Sequence, residues 1–510
     1  MSALRQSWPC LALAIAAALL ILPLWLAGTP AMPDYPARLA GFYLIGGGAS
    51  PFYGIAWAPI PNLASEIAVP LLGHVMGLEA AAKLFLSLGV AMWVAGPALI
   101  HRALFGRIGP VPLAAAFFAY NVNFMWGFFN YYFAAGLCLI VFAGWIASEA
   151  WPRLPRLAIF AVAAIVLYFC HILGAALFLF LVAAYEAARR PIAWHDLLLN
   201  VAIIALPVAI LYLIKPGEPA GGGLSFNLVD TFVHRIESLV QRHFAAPAYL
   251  PLIVLTVLFL IGLRQKKITL HQRMRFVLIG ITGLALLTPE TAMGGWGLHL
   301  RFPAVAAALL FAACEISVAR ELVVACVAAT LGALAWMSVA LANQWRAYDS
   351  QIDEFRAALR DVPRGSHLMT AIDTRNTGEV PNRLYWHVAE FAIIDREAFT
   401  ALMFATKGQH IVTLKPAIAP FAARTARDGT PPQMDSLNAL AAAHSSDPKI
   451  RGELYLLHFP CHYDKVVLIH ANGRPRSVPP MLALRHDGSF FALYDVRPSR
   501  ECSAISATRP

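Results

Sequence analysis

Long apolar runs, each close to the length of a membrane-spanning helix, occupy most of the first 342 residues. A helix that crosses the hydrocarbon core of a bilayer needs about 20 mostly apolar residues, and packed hairpins tolerate fewer. The pattern therefore predicts an all-α membrane bundle of about eleven spans in residues 1–342. The predicted spans cover residues 11–27, 83–100, 111–125, 132–147, 157–169, 173–188, 197–214, 249–263, 276–288, 302–318 and 322–342.

The first run, residues 11–27, follows Arg5 and fits either a signal peptide or a retained first span. The many later spans favour the retained anchor. Between the seventh and eighth spans, apolar residues recur at helical spacing over residues 228–240, with polar residues opposite. This spacing predicts an amphipathic helix at the membrane interface, with Gly221, Gly222 and Gly223 as its hinge.

The pattern changes near Asn343, where apolar and polar positions begin to alternate and turn residues become frequent. Helical periodicity covers residues 345–359 and 384–394, and strand-like alternation covers 367–372, 466–470 and 490–496. We therefore predict two domains, a transmembrane domain in residues 1–342 and a small α/β domain in residues 343–510.

Composition supports this division. The chain is 59% hydrophobic and 13% charged, with a mean hydropathy of +0.63, which excludes an ordinary cytosolic enzyme and a disordered scaffold. Residues 1–342 hold 19 of 39 Lys+Arg and 12 of 29 Asp+Glu, so the last 168 residues have the charge density of a water-soluble domain. The net charge of +10 is explained by membrane orientation, and no nucleic-acid partner is expected.

Basic residues fall in alternate short loops, which predicts their cytoplasmic side. With eleven spans, the N-terminus is then cytoplasmic and residues 343–510 lie outside, in the periplasm if the protein occupies a bacterial inner membrane. Cys461 and Cys502 are the only two cysteines in the predicted outer domain, and an oxidising compartment would let them pair. The orienting residues are Arg5, Arg102, Arg107, Arg153, Arg156, Arg189, Arg190, Arg264, Lys266, Lys267, Arg273, Arg275 and Arg320.

The first predicted outer loop places Asp34 and Arg38 four residues apart. One interpretation is structural: Asp34 caps the helix that begins near Pro36, and Arg38 extends its charge toward water. The other is functional, with a general base beside a phosphate-binding cation, and charged groups so close to lipid favour it.

The sequence resembles the GT-C superfamily of membrane glycosyltransferases that use polyprenyl-phosphosugars. The resemblance rests on Asp34 in the first outer loop, the many spans with short hairpins and the C-terminal extracytoplasmic α/β domain. More closely, the chain is similar to a family of bacterial multispan proteins of unassigned activity that is grouped with this superfamily. The similar stretches are residues 34–40 (DYPARLA), 61–64 (PNLA), 168–173 (YFCHIL) and 385–387 (YWH).

This resemblance implies an inverting transfer on the outer face of the membrane. Asp34 would deprotonate an acceptor hydroxyl, and cations would bind the phosphate of a polyprenyl-linked donor. Many members of the superfamily carry a second acidic residue beside the first, whereas Tyr35 follows Asp34 here. A divalent metal is therefore compatible with the sequence but not required by it.

Asp34 is the candidate base. Four further residues are candidates for substrate binding: Arg38, Glu66, His171 and Arg301. Arg301 lies at an outer membrane edge, where the positive-inside rule does not explain a cation. Glu66 either binds substrate or favours a helix N-terminus electrostatically. His171 either faces the outer cleft or is a packing residue at the turn of a short hairpin.

The sequence contains no GxxxxGK[ST], HExxH, GxSxG or DxD motif, so the usual signatures of nucleotide-driven pumps and zinc proteases are missing. The leading hypothesis is a membrane glycosyltransferase with a polyprenyl-phosphate-linked sugar donor and an envelope glycan, lipid or protein as acceptor. The rival hypothesis is a lipid-linked saccharide transporter or a non-catalytic envelope assembly protein. A transporter would be expected to have internal repeats and charges at mid-membrane.

Overall fold

A computed structural model of the chain describes most of its residues. The described residues are 2–189, 193–216, 224–226, 228–239, 249–292, 295–373, 383–422, 429–442, 456, 458–470, 477–498 and 502. The predicted hinge at Gly221, Gly222 and Gly223 lies outside them.

The chain divides into two compact units. The first unit consists of Met1–Ala27, Pro59–Ile67 and Lys83–Gln344, and the second of Gly28–Ala58, Ala68–Ala82 and Trp345–Pro510. The segment that begins the first predicted outer loop thus belongs to the same unit as the C-terminal residues.

The first unit is helical. Its helices, some of which continue into the second unit, are α1 (Ser2–Leu26), α3 (Ala64–Met76), α4 (Leu78–Phe105), α5 (Val122–Met125), α6 (Phe129–Ala147), α7 (Arg153–Cys170), α8 (Ile172–Ala187), α9 (Trp194–Ile214), α10 (Leu228–Glu237), α11 (Tyr249–Arg264), α12 (Met274–Leu287), α13 (Pro303–Ala312) and α14 (Arg320–Leu359). Short antiparallel strand pairs join β2 (Ile268–Leu270) to β5 (Cys314–Ile316) and β3 (Thr291–Ala292) to β4 (Gly295–Trp296).

Within the described residues, six helices are long and apolar enough to cross a membrane. They lie at Trp8–Leu26, Leu78–Phe105, Phe129–Ala147, Arg153–Cys170, Trp194–Ile214 and Arg320–Leu359. The chain is therefore a membrane protein by the length and composition of its helices. Six further apolar helical segments are shorter, so the predicted count of eleven spans is not confirmed.

Two predicted spans are not single α-helices. Residues 111–125 form a 3₁₀-helix, Val111–Phe118, and the four-residue α5, which begins anew because the side chain of Asn121 accepts from the amide of Asn123. In residues 302–318, α13 has only ten residues and is followed by β5. A ten-residue helix is about 15 Å long, half of a bilayer core.

Small residues bring helices of the first unit close together. Helix α8 lies against α6 at Gly174, where an added Cβ would be 2.7 Å from the Cβ of Ala134. Close backbone approach of this kind is typical of helix packing in membranes. The bundle thus holds the N-terminal end of α6, which carries several polar and aromatic side chains, in a fixed position.

Helix α10, Leu228–Glu237, confirms a helix within the predicted residues 228–240, while its position at the membrane interface stays a prediction. Its buried face is polar: Arg235 is 4% exposed and donates to the carbonyl oxygens of Ala285 and Thr288, at 2.6 Å each, at the end of α12. Its apolar residues Phe232 and Ile236 are exposed. The helix is therefore anchored through its polar side, with its apolar side outward.

The second unit contains a five-stranded mixed sheet. Its strands are β6 (His367–Ile372), β7 (Phe399–Thr400), β9 (Lys465–Ile469), β10 (Leu482–Asp487) and β11 (Phe491–Val496), in the order β10-β11-β9-β6-β7. Strands β6 and β9 are parallel, with Met369 opposite Val466. A separate antiparallel pair joins β1 (Tyr53–Ile55) to β8 (Val412–Leu414). The C-terminal region is thus α/β, as predicted.

The helices of the second unit cover this sheet. They are α2 (Tyr35–Ile45), the 3₁₀-helix Val388–Glu390, α15 (Phe391–Arg396), α16 (Met434–Ala442) and α17 (Phe459–His462), together with the end of α14. The helix predicted over residues 384–394 begins later, because Arg383 to Val388 form turns in which the amide of Val388 donates to the carbonyl of Tyr385. Helix α2 contacts both Val388–Glu390 and α15, so residues far apart in sequence meet here.

Cys461 and Cys502 form a disulfide bond, with Cα atoms 5.1 Å apart. This confirms the predicted pairing. Cys461 lies in α17, just before β9, and Cys502 lies after β11. The bond therefore ties the segment after β11 to the segment that leads into β9.

Candidate active site

Asp34 lies immediately before α2 and is 7% exposed. Its side chain makes no capping hydrogen bond to the helix backbone, although it occupies the position at which a carboxylate usually caps. Pro36, at the start of the helix, supplies no backbone donor. The structural interpretation of Asp34 as a helix cap is therefore wrong.

Arg38 lies one turn further along α2. Its guanidinium carbon is 4.9 Å from the ring centroid of Phe404, a cation–π arrangement that stabilises a partly buried cation. The side chain therefore packs inside the second unit and does not simply reach toward water. The first helical turn of α2 thus presents a carboxylate and a cation on adjacent positions of one face.

Two histidines surround the same phenylalanine. The ring centroids of His387 and Phe404 are 4.8 Å apart, and His410 stacks on Phe404 at 5.6 Å with an interplanar angle of 11°. Burial and then the positive charge of Arg38 lower the pKa of His410 to about 3. His410 is therefore uncharged at neutral pH, and its ring packs near Arg38 without adding charge.

His387 and Glu390 form a buried pair in this cluster. They are 3% and 0% exposed, and the Nδ1 atom of His387 is 3.7 Å from the Oε1 atom of Glu390, an ion-pair distance longer than a hydrogen bond. Burial lowers the pKa of His387, but the carboxylates of Glu390 and Asp34 outweigh it and raise this pKa overall. Asp34 therefore acts electrostatically on a residue from the C-terminal region.

Glu66 belongs to a hydrogen-bond network at the start of α3, in the first unit. Its Oε2 atom accepts from the hydroxyl of Ser65 at 2.8 Å and from the side-chain amide of Asn130 at 2.7 Å. Asn130 in turn accepts from the backbone amide of Ser65 at 2.8 Å and donates to the carbonyl of Asn62 at 3.0 Å. The carboxylate is thus oriented by a side chain of α6 as well as by its own helix.

Replacement of Asn130 by alanine is expected to lower the free energy of unfolding by about 2 to 3 kcal/mol, because it removes buried partners of Glu66 and of the Ser65 amide. Thermal unfolding of the detergent-solubilised protein measures the loss. Asn200→Ala is the matched control, because Asn200 makes an exposed hydrogen bond to Arg153. An equal loss in both variants would show that the network contributes nothing special.

Arg301 follows a 3₁₀-helix, Leu298–Leu300, and is 9% exposed. Its guanidinium carbon lies 3.9 Å from the ring centroid of Phe128 and 4.7 Å from that of Tyr131. Its Nη1 atom donates to the Oδ1 atom of Asn123 at 3.3 Å. The hydroxyl of Tyr131 donates to the carbonyl of Arg301. A cation held on two aromatic faces is well suited to bind an anion.

His171 separates α7 from α8. Its Nδ1 atom accepts from the backbone amide of Leu173 at 3.0 Å, so the side chain caps α8. Its ring also contacts Tyr131 edge-on, with centroids 5.2 Å apart. The capping bond favours the packing interpretation of this histidine, while the contact places it on the same tyrosine as Arg301.

The five predicted site residues thus fall into two groups. Asp34 and Arg38 lie with His387, Glu390, Phe404 and His410 in the second unit. Glu66, His171 and Arg301 lie around Asn130 and Tyr131 at the start of α6 in the first unit. In the described parts of the chain, no three His, Cys, Asp or Glu side chains are grouped so that they could hold a metal ion.

Sequence reasoning missed several residues of these groups. Asn130 and Tyr131 belong to an aromatic run, residues 126–133, a composition that is also typical of an aromatic belt at a membrane interface. His387 lies in the YWH stretch and stands three residues before Glu390, a spacing that places both on one helical face. Asn123, Phe404 and His410 had no signal in the sequence.

The chain was compared with known proteins at three levels. No protein-family model matches it, and no curated protein sequence matches it. Two solved structures are similar. The crystal structure of ArnT from Cupriavidus metallidurans bound to undecaprenyl phosphate matches with a TM-score of 0.52 and 12% identity over 96% of this chain and 98% of that chain.

The second similar structure is that of the arabinofuranosyltransferase AftD from Mycobacteria, with a TM-score of 0.46 and 17% identity over 96% of this chain and 42% of that chain. This TM-score is too low to assign a shared fold. The similarity to ArnT extends over nearly the full length of both chains. The chain therefore shares the fold of ArnT.

Proposed function

We propose that the protein is a membrane glycosyltransferase that moves a sugar from a polyprenyl-phosphate donor to an envelope acceptor. The ArnT-like fold along the whole chain carries this proposal, and ArnT was crystallised with undecaprenyl phosphate. A fold does not by itself determine function. The buried Asp34, with its carboxylate unused for helix capping, is the local feature that supports a reaction.

The proposed reaction is a single displacement with inversion at the sugar carbon. Asp34 removes the proton from an acceptor hydroxyl, and the hydroxyl oxygen forms a bond to the anomeric carbon. The bond from that carbon to the phosphate oxygen breaks, and its electron pair leaves with the polyprenyl phosphate. Arg38, four residues after Asp34, contributes positive charge to this site, and a protonated His387 contributes more.

Arg301 is proposed to bind the phosphate of the donor. Its aromatic neighbours Phe128 and Tyr131 orient the planar guanidinium, and a preorganised guanidinium binds phosphate oxygens with two parallel hydrogen bonds. Glu66 and His171 are proposed to contact the sugar or its hydroxyls. The network around Asn130 supports this role, because it fixes the orientation of the Glu66 carboxylate.

Replacement of Arg301 by glutamine is expected to raise the KM for the donor about 10- to 100-fold, because hydrogen bonds to the charged phosphate are lost. Arg301→Lys keeps the charge without the planar fork and is expected to fall between glutamine and wild type. Steady-state transfer at varied donor concentration measures this. Arg235→Gln is the matched control, because the guanidinium of Arg235 binds backbone carbonyls. An unchanged donor KM in Arg301→Gln would contradict the role.

We further propose that the protein resides in the bacterial inner membrane, with a cytoplasmic N-terminus and the C-terminal α/β region in the periplasm. The alternating basic loops support this orientation, and the disulfide bond supports an oxidising location for the α/β region. Acceptors of the envelope would then be accessible on the outer face.

The deciding experiment is a transfer assay in membranes that contain the full chain. Polyprenyl-phosphate sugars with a radiolabelled sugar are supplied together with an envelope extract, and labelled product is measured. Transfer from the lipid-linked donor, but not from nucleotide sugars, is the expected result. Movement of an intact lipid-linked saccharide across the membrane without bond cleavage would instead support the transporter. The absence of both transfer and movement would support a non-catalytic assembly protein.

A further inference from the structure

The pair His387 and Glu390 is buried in the second unit although both side chains ionise. Glu390 is fully buried, and its two carboxylate oxygens have no hydrogen-bond partner within 3.5 Å among the described residues. An isolated charge in such a position is costly and requires a nearby opposite charge. The imidazole of His387, at 3.7 Å, is the group that can supply it.

Other ionisable groups lie near this pair. Asp34 and Arg38 belong to the start of α2, the segment after β7 contributes the uncharged His410, β1 contributes Tyr53, and Tyr463 lies near Tyr53. Burial raises the pKa of Tyr53 above its ordinary value, so this phenol stays neutral. A protonated His387 adds positive charge between the carboxylates of Glu390 and Asp34, both of which raise its pKa.

The ring of His387 is also held in place. Phe404 contacts it at 4.8 Å between centroids, and Glu390 lies one turn away on the same segment, beside its Nδ1 atom. Helix α2 contacts this segment directly. A fixed imidazolium near a buried carboxylate favours the ionised form of that carboxylate.

We propose that His387, held by Glu390, is a positioning residue that keeps the Asp34 carboxylate ionised and oriented for the transfer. This inference rests on the proposed function, in which Asp34 is the base. A base must be ionised before it can take a proton, and burial opposes ionisation. The imidazolium offsets this effect without touching the reacting atoms.

The pH dependence of transfer tests the inference. Wild type is expected to give a bell-shaped profile, with an acid limb from Asp34 and an alkaline limb from the loss of charge on His387. His387→Gln removes the charge and should move the acid limb to higher pH, by about one unit. Glu390→Gln removes the carboxylate that raises the pKa of His387, so it should move the alkaline limb to lower pH.

His470→Gln is the matched control, because His470 is 4% exposed and lies at the end of β9. It carries the cost of replacing a buried histidine but should leave both limbs where they are. If His387→Gln and Glu390→Gln lower the rate equally at every pH without moving a limb, the inference is overturned. If Asp34→Asn retains transfer, the proposed base fails instead, and the two failures are distinguishable.

A measurement independent of activity completes the test. In the full chain with isotope-labelled histidine, the NMR signal of His387 is identified by its absence in His387→Gln. Its titration midpoint should move to lower pH in both Asp34→Asn and Glu390→Gln, because each variant removes a carboxylate that raises the pKa of His387. An unchanged midpoint in Asp34→Asn would show that the two residues are not coupled, and would overturn the inference even if wild type transfers no sugar.

Discussion

Replacement of Asp34 by asparagine is expected to lower the rate of sugar transfer by about 10²- to 10⁴-fold, the usual effect of removing a general base. Asparagine keeps the shape of the side chain but cannot accept the proton of the acceptor hydroxyl. The carboxylate makes no capping bond to α2, so its loss should have little effect on helix stability. Transfer from a polyprenyl-phosphate sugar in membranes, normalised to the amount of protein, measures the change.

The comparison with Asp34→Ala separates catalysis from structure. Loss of transfer in both variants at equal expression supports the role of the carboxylate as a base. Asp196→Asn is the matched control, since Asp196 forms an exposed ion pair with Arg153 and such pairs contribute little. Transfer at the wild-type rate in Asp34→Asn would reject the proposed base, although the similarity to the fold of ArnT would still stand.

Local patterns in the sequence predicted the elements of the C-terminal region well. The alternation over residues 367–372 coincides with β6, and the predicted strands 466–470 and 490–496 lie within one residue of β9 and β11. These strands are buried on both faces or on one face, so their apolar pattern is strong. The pairing of Cys461 and Cys502 followed from their isolation in one domain.

The transmembrane region was predicted less well, because hydropathy identifies apolar segments but not their backbone conformation. Residues 111–125 are as apolar as a span, yet they form a 3₁₀-helix and a second short helix that begins at the Asn121 cap. Residues 302–318 end in a strand that pairs Glu315 with Thr269. Such pairing depends on a partner elsewhere in the chain and leaves no periodic signal.

The candidate site shows the same limit. Asp34 was identified because a carboxylate beside a predicted membrane span is unusual, but its neighbours His387 and Glu390 lie about 350 residues further along the chain. The contacts of α2 with Val388–Glu390 and with α15 bring them together. A single sequence contains no record of such a contact. The same holds for the contacts of Arg38 with Phe404 and of Arg301 with Tyr131, which only the folded structure shows.

Loss of the disulfide bond is the second large effect that we expect. The bond closes a loop of 41 residues that contains β9, β10 and β11, and closing such a loop stabilises the folded state by about 4 kcal/mol in the chain-entropy model. Cys461→Ser and Cys502→Ser should each lower the free energy of unfolding of the second unit by about this amount. Both should also lower transfer indirectly, through a smaller folded fraction.

Chemical denaturation of the full chain in detergent, with and without a reducing agent, measures this loss. Reduction should destabilise wild type but not the double variant in which both cysteines are serine, because the double variant has no bond to reduce. The buried Cys138 and Cys170 are unpaired thiols, so Cys138→Ser controls for the effect of replacing a cysteine. If Cys461 and Cys502 in the native membrane react with a thiol reagent before reduction, the bond is not formed in the cell, and the proposed oxidising location of the α/β region loses its support.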